Sequence, residues 1–229
     1  MSSKNYKQQE FNIFPVYKPK GPSSNQYLNR IRSFLGIKKI GHGGTLDPLA
    51  SGILVIGVGR KATKKLSNYS QNSKQYIAEI KLGVNSTTMD EEGDKNILYL
   101  EEPNNLKEKD IKEVLSKFVG KIEQIPPIYS ALKINGQSAY KLARKGKDIK
   151  MKSREVEIYK IELLQYSWPI LKIKVDCGSG VYIRSLANDI GKNLKTGAYL
   201  YNLERTKVAN FLIKDVFNFE DLKNNIKDV

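Results

Sequence analysis

The chain has 229 residues, 40% apolar and 28% charged, a composition that excludes a disordered tail and is typical of a globular protein. Lys and Arg number 39 against 24 Asp and Glu, and the formal net charge of +15 favours a polyanionic partner, nucleic acid first. A basic protein from a lysine-rich proteome would show the same surplus, so net charge alone does not identify the partner.

Cysteine and histidine occur once each, as Cys177 and His42. A single cysteine excludes an intramolecular disulfide and a cysteine-based metal cage, and a single histidine argues against a zinc site. The first residues, MSSKNYKQQEF, lack the apolar core of a signal peptide. The longest Gly/apolar run, GILVIGVG at 52–59, is too short to span a bilayer. We therefore expect a cytoplasmic protein that does not contact membranes.

Hydrophobic periodicity and turn signals predict several elements in the first hundred residues. An apolar face at helical spacing predicts a helix that Ser23 or Ser24 caps and that Gly36 ends. The other elements predicted here are a short apolar segment at 14–17, a buried strand at 53–58, an alternating strand at 76–82 and a turn at 90–94.

The second half of the chain mixes helices and strands without a regular order. A helix capped by Asn105 and closed by Gly120 comes first. Then follow strands at 156–163 and 171–177, a helix at 182–194, a strand near 207–213 and a short helix at 219–226. Because no βαβ rhythm is present, we predict an α+β fold with a largely antiparallel sheet.

Charged residues are distributed in blocks. Residues 18–65 hold ten bases and one acid, residues 126–154 hold eight bases and one acid, and residues 86–123 hold ten acids against six bases. Separate basic and acidic surfaces are typical of a protein that binds along a phosphate backbone, although a solvated lysine-rich face would have the same composition. Residues 125–151 overlap the second basic block, lack a clean period and are predicted to form a long surface excursion.

The only acid of the first basic block is Asp47, in the segment GHGGTLDPLASG at 41–52. Neither GHGG nor GVGR continues into a P-loop, and the chain contains no GxSxG nucleophile elbow. Spacing alone favours Asp47 as the N-cap of a helix with Pro48 at its first position. The alternative is a functional carboxylate that the surrounding cations keep ionised.

Asp47 lies in the first of four segments that together resemble those of a known family. They are GHGGTLDPLASG, with YKPKGPSS before it and GVGRKATK after it, then SKQYIAEIKLG, IPPIYSALKINGQSAYKLAR and GVYIRSLANDIG. Together and in this order they resemble the bacterial TruB family of tRNA pseudouridine synthases, over roughly residues 12–215. The resemblance implies a catalytic domain over residues 12–229 after a tail at 1–11. It also implies a mixed central sheet flanked by helices, with a basic RNA-binding insertion at about 125–151.

The resemblance also implies an activity. Members of the family convert the uridine at position 55, in the TΨC arm of tRNA, to pseudouridine. The reaction has no redox step and no second substrate, so we expect no cofactor and no metal. We further expect a monomer that requires no protein partner. Bacterial members usually carry a small C-terminal RNA-binding domain, and we expect this chain, which ends at Val229, to lack one.

Two residues carry the chemistry that the resemblance implies. Asp47 matches the catalytic aspartate, which either attacks C1′ of the ribose or removes the C2′ proton; the sequence does not choose between these. Arg184 matches the arginine that pairs with this aspartate and holds it ionised. Thr87 stands where the family often has an aspartate, while Asp90 remains.

Further residues match positions that receive the RNA. Tyr76 matches the tyrosine that stacks on the target base and helps to remove its C5 proton, and Tyr182 and Leu203 match positions that line the uracil pocket. His42 matches the histidine that occupies the space of the everted nucleotide. Without the resemblance, Tyr76 and Leu203 would be interpreted as core residues and His42 as a loop residue without a role.

The insertion is expected to contact the RNA backbone through Arg144, Lys145 and Lys147. Two rival functions remain open: a tRNA-binding protein with little catalysis, and a guide-RNA-dependent relative that acts on ribosomal RNA. Intact Asp47 and Arg184 argue against the first, and the insertion, which looks like that of the stand-alone bacterial type, argues against the second.

Overall fold

The computed structural model of the protein describes residues 12–103, 106–134, 136–146 and 149–226. The α+β class is confirmed, with a mixed sheet flanked by helices. In these ranges the α-helices are α1 (Ser24–Leu35), α2 (Gly59–Gln71), α3 (Glu108–Ser116), α4 (Ala139–Ala143), α5 (Ile183–Asn193) and α6 (Phe219–Asn225).

The strands follow the same chain order. They are β1 (Ile13–Lys18), β2 (Ile40–His42), β3 (Ala50–Val58), β4 (Lys74–Leu82), β5 (Val84–Ser86), β6 (Lys95–Ile97), β7 (Gly120–Gln124), β8 (Lys133–Ile134), β9 (Gln137–Ser138), β10 (Arg154–Ser167), β11 (Ile170–Cys177), β12 (Ala198–Val208) and β13 (Phe211–Leu212).

The described residues form two compact units. The first comprises those up to Gln75 and from Glu204 onward, and the second comprises Tyr76–Leu203. Strands β4 and β12 therefore each have residues in both units.

The first unit is built around β3, which is buried on both faces. Antiparallel β1 and β2 pair with β3, and the strand order is β1–β3–β12. Because side chains of a strand alternate between faces, Leu54 and Ile56 pack with α1 and α6, whereas Ile53 and Val55 pack with α2. Burial on both faces explains why this strand is almost continuously apolar.

The second unit contains strands in the order β12–β4–β11–β10–β7. β10 pairs antiparallel with both β11 and β7, and α3 packs against α5 and β10. The β5–β6 ribbon and the β8–β9 hairpin form two small sheets of their own.

Several sequence predictions are confirmed in detail. Ser23 caps α1 in a capping box with Gln26, and Gly36 ends the helix with a left-handed φ of 66°. The segment at 14–17 is the centre of β1, and the predicted helix at 182–194 is α5. The proposed cap Asn105 and the tail at 1–11 lie outside the described residues. The predicted limits of that helix are wrong, because Lys107 is the N-cap of α3, Lys117 is its C-cap and Gly120 already belongs to β7.

Other predictions need correction. The predicted strand at 207–213 is the end of β12, a tight turn, and β13, because Ala209 adopts a positive φ of 51° and reverses the chain. The excursion at 125–151 contains the β8–β9 hairpin and α4. Helix α2 was not predicted; its buried residues include only Ala62 and Leu66, which gives a weak periodic signal.

Candidate active site

The residues matched to the family's site fall in both units, and each unit's residues are described separately. Asp47 and His42 belong to the first unit, and Tyr76, Tyr182, Arg184 and Leu203 belong to the second.

Asp47 lies in a loop that leads into a strand. Pro48 and Leu49 form a turn, β3 begins at Ala50, and the N–H of Ala50 donates to the Asp47 carbonyl at 3.1 Å. The helix N-cap interpretation is therefore wrong. Asp followed by Pro is equally typical of the first two positions of a turn, and burial of the apolar β3 segment decides between the two.

Two buried cations lie near Asp47. Lys18 is fully buried and its ammonium donates to the carbonyls of Pro19 (2.9 Å) and Pro22 (2.8 Å). Burial lowers the pKa of Lys18 to about 8, the charge of Asp47 acts in the opposite direction, and the charge of Arg205 lowers it further. The sequence placed Lys18 only among the ten bases of residues 18–65, because no local pattern indicates that this side chain is buried.

His42 is held at the end of β2 between two glycines. A Cβ on Gly43 would lie 2.9 Å from the carbonyl oxygen of Leu66, and a Cβ on Gly41 would lie 3.2 Å from a Leu66 methyl group. The absence of side chains at these positions thus lets β2 approach α2 closely. Burial lowers the pKa of His42 below 6.5, and the charge of Arg205 adds to this, so the imidazole is neutral at neutral pH.

His42 also lines an open cavity of about 400 Å³ in the first unit. Lys39 and the hydroxyl-bearing residues Thr63, Ser67 and Ser70 of α2 contribute to its wall. The cavity is thus lined by neutral and cationic hydrogen-bonding groups, which suit an anionic or polar ligand better than an apolar one.

Arg184 is buried in the second unit and contacts several groups there. Its Nη1 lies 3.1 Å from a carboxylate oxygen of Asp90 and 3.5 Å from the carbonyl oxygen of Thr88. Its Nη2 donates to the carbonyl oxygen of Tyr129 at 2.7 Å. Sequence reasoning did not find the ion pair with Asp90, whose only signal was a retained acid in the turn. The pairing of Arg184 with Asp47 remains a prediction.

Tyr182 is the N-cap residue of α5 and is fixed by two neighbours that the sequence did not reveal. The buried Gln124 side chain accepts from the Tyr182 N–H at 2.8 Å and donates to its carbonyl at 3.1 Å. The guanidinium of Arg154 lies 5.0 Å from the centre of the Tyr182 ring, within the range of a cation–π contact. The amide and the guanidinium together restrict the backbone and ring of Tyr182.

Tyr76 and Leu203 are both buried in the second unit, with exposed fractions of 8% and 7%. Tyr76 occurs on β4, on the same face as Ala78 and Ile80, and Leu203 occurs on β12. Burial fits both the core interpretation and a place in the wall of an apolar pocket, so it does not separate the two.

The insertion presents exposed bases after a short helix. Arg144 and Lys145 follow α4 and are exposed, and the Arg144 guanidinium lies 5.9 Å from the centre of the Tyr140 ring. Lys147 lies outside the described residues.

In the described part of the chain, His, Cys, Asp and Glu side chains form no cluster of three that could hold a metal ion. Among the helices of that part, none has the length and apolarity needed to cross a bilayer.

Comparison with known proteins gives consistent results. Residues 32–183 match the family described as TruB family pseudouridylate synthase (N terminal domain). The chain is 44% identical over 220 residues to the tRNA pseudouridine synthase B of Clostridium kluyveri, covering 94% of this chain and 74% of that protein. It is 45% identical over 214 residues to the protein of the same name from Francisella tularensis subsp. novicida, covering 93% and 70%.

Solved structures agree in fold. A chain in a crystal structure of a Cbf5-Nop10-Gar1 complex superposes with a TM-score of 0.67 at 30% identity, covering 88% of this chain and 50% of that one. A chain in an H/ACA RNP bound to a substrate RNA gives a TM-score of 0.68 at 26% identity, covering 93% and 53%. This protein thus spans about half the length of these solved chains. From the matched residues and the identity to these curated relatives, the chain belongs to the TruB family of pseudouridylate synthases.

Proposed function

We propose that the protein isomerises uridine to pseudouridine in tRNA, at position 55 in the T arm, and that Asp47 is the catalytic group. The observation that carries this proposal is the segment GHGGTLDPLASG, which holds Asp47 on a loop beside the buried cations Lys18 and Arg205. Relatives at 44–45% identity are named tRNA pseudouridine synthase B. That identity exceeds the 26–30% shared with the H/ACA chains and favours a tRNA substrate over a guided one.

In the proposed reaction, the C1′–N1 bond breaks, the base rotates while bound, and C5 bonds to C1′; C5 then loses its proton and N1 gains one. Asp47 either attacks C1′ or removes the C2′ proton, and both roles require its carboxylate in the ionised form. No atom is gained or lost overall, so neither a cofactor nor a metal is needed.

The target uridine has to leave its stack to reach the half-buried carboxylate of Asp47, as in other enzymes that act on a base. We assign Tyr76 to stack on the extruded base and Tyr182 and Leu203 to line its pocket. His42 is assigned to the space that the base vacates. A neutral imidazole suits this role, since it can stack and hydrogen-bond without adding charge.

The insertion is assigned to the RNA backbone. Arg144 and Lys145 are exposed, beside a hairpin that also carries the exposed Lys133. Phosphate contacts of this kind would position the T arm without reading its sequence.

The test is mass mapping of pseudouridine in an unmodified, in vitro transcribed tRNA after incubation with the protein. We expect one pseudouridine at position 55 and none in a transcript with cytidine at that position. Tight tRNA binding without any product would instead support the RNA-binding function without catalysis.

A second measurement separates the two roles of Asp47. Deuterium at C2′ of the target uridine gives a large, primary isotope effect on the single-turnover rate when the C2′–H bond breaks in the slowest chemical step. Attack on C1′ leaves that bond intact and gives only a small, secondary effect. A primary effect therefore supports the proton-removal route, and retention of the C2′ deuterium in the product with only a secondary effect supports attack on C1′.

A further inference from the structure

The loop that carries Asp47 is hydrogen-bonded through its backbone at every residue from 43 to 48. The contacts are Gly43 N to Val55 O (2.8 Å), Gly44 O to Arg205 Nη2 (3.2 Å), Thr45 O to Arg205 Nη1 (3.5 Å), Leu46 N and O to Ser24 Oγ (both 2.8 Å), Asp47 O to Ala50 N (3.1 Å) and Pro48 O to Gly21 N (2.8 Å). The side chains in this set come from distant parts of the sequence.

Ser24 holds the loop from the side of α1. Its hydroxyl accepts a hydrogen bond from the N–H of Leu46, the residue before Asp47, and donates one to the carbonyl of the same residue. Ser24 is 1% exposed and begins a helix whose apolar face lies in the core. One hydroxyl thus satisfies both backbone groups of a buried residue and ties them to a rigid helix.

Arg205 holds the loop from the side of β12. Its Nε donates to the Ile53 carbonyl at 2.7 Å, and its two terminal nitrogens reach the carbonyls of Gly44 and Thr45. Arg205 is 1% exposed. The planar guanidinium therefore joins strand β3 to the loop in one fixed geometry, which a flexible ammonium does not reproduce.

We propose that Ser24 and Arg205 are positioning residues for Asp47, acting as a clamp that sets the place of its carboxylate before RNA binds. This inference rests on the function proposed above. Burying polar side chains is costly unless they are hydrogen-bonded, and here both bind backbone groups of the loop, Arg205 also binding the Ile53 carbonyl of β3. A displacement of about 1 Å at a reacting group can cost a hundredfold in rate, so a preformed loop has a direct catalytic value.

The test uses Ser24→Ala and Arg205→Lys in the full chain, with Thr196→Val as the matched control. The Thr196 side chain is also buried and donates to one backbone carbonyl, that of Gly197, at 3.0 Å. Three quantities are measured below the thermal midpoint of every variant: the single-turnover rate of pseudouridine formation, the Kd for tRNA, and hydrogen exchange of peptides covering residues 43–50 without RNA.

For both clamp variants we expect exchange in residues 43–50 to rise by about tenfold. The single-turnover rate should fall by roughly a hundredfold while the Kd for tRNA changes little, because the loop is displaced and the RNA-binding surface is not. Thr196→Val should leave both the single-turnover rate and the hydrogen exchange of residues 43–50 unchanged. A merely structural role would lower the thermal midpoint without changing the rate of the folded protein.

The inference is overturned if exchange in the loop is unchanged, or if folded Ser24→Ala turns over within about twofold of the wild type. Should Arg205→Lys not fold, Ser24→Ala decides alone. Asp47→Asn is measured in parallel, so that failure of the clamp inference can be told apart from failure of the proposed function. If Asp47→Asn is fully active, Asp47 is not the catalytic group and the proposed function fails. The exchange data still report whether the clamp orders the loop.

Discussion

Arg184 and Asp90 form a buried ion pair, with Nη1 and Oδ2 3.1 Å apart and side chains that are 5% and 4% exposed. Asp90 also accepts from the N–H of Glu92 at 3.0 Å and from the hydroxyl of Thr88. These extra partners are what a buried charge requires, because attraction between the two charges alone does not offset their loss of water.

Replacing Asp90 with Ala should destabilise the protein strongly, because it leaves the buried Arg184 charge without this carboxylate. We expect the free energy of unfolding to fall by about 3 kcal/mol, measured by urea denaturation. The matched control is Glu113→Gln, which removes one carboxylate from an exposed pair with Lys117 at 3.3 Å and should change little. Equal effects of the two substitutions would contradict the prediction.

Asp47→Asn should abolish turnover and leave tRNA binding within a few-fold of the wild type. The amide keeps the shape of the side chain but can neither attack C1′ nor take a proton, and loss of such a group costs several kcal/mol in the barrier. Single-turnover assays and filter binding measure the two quantities. Glu220→Gln, at an exposed carboxylate on α6, is the control. Retention of more than about a hundredth of the rate would show that Asp47 is not the catalytic group.

Arg184→Lys should be severely impaired in turnover. The two terminal nitrogens of Arg184 serve different partners, Asp90 and the Tyr129 carbonyl, and a single ammonium does not hold both in the same geometry. The control is Arg60→Lys at an exposed position of α2. Near-normal turnover of Arg184→Lys would mean that its charge alone suffices.

Binding of tRNA should depend steeply on salt, and the insertion should carry part of this dependence. Replacing Arg144, Lys145 and Lys147 with Ala should weaken binding and flatten the plot of log affinity against log salt by about two units if all three contact phosphate. Turnover at saturating tRNA should change little, because these residues lie outside the proposed chemistry.

The matched control for this triple variant is Lys109, Lys112 and Lys117→Ala, which removes three exposed bases from α3 and its C-cap in the acidic block. It should leave the salt slope unaltered. If the insertion variant also keeps the wild-type slope, the phosphate contacts belong elsewhere, and the basic block at 18–65 is the next surface to test.

Stability should depend on the titration of Lys18. Its pKa is about 8 in the folded protein and 10.5 ordinarily, so between these values the unfolded chain binds more protons than the folded one. The free energy of unfolding contributed by Lys18 should therefore rise with pH from about 8 to 10.5 and be lowest below pH 8. Because tyrosines and other lysines titrate in the same window, the quantity to measure is the difference between wild type and Lys18→Met. A difference that does not vary with pH would contradict the burial of this ammonium.

Local patterns determined much of the secondary structure. The ends of α1 were predictable because Ser23, Gln26 and Gly36 act within one turn of the helix, and β4 was predictable because its side chains alternate strictly. The sequence also indicated the family, which the comparisons confirm, and it supplied the proposed role of Asp47, since both inferences depend on the order of residues in short segments.

The tertiary structure alone decided what surrounds those segments. Asp-Pro fits a helix start and a turn equally well, and only burial of β3 on both faces selects the turn at Asp47. The burial of Lys18, the clamp of Ser24 and Arg205 on one loop, and the pairing of Arg184 with Asp90 all join residues far apart in sequence. Such contacts have no local signature, because their free energy depends on water being excluded by elements that pack only when the whole chain folds.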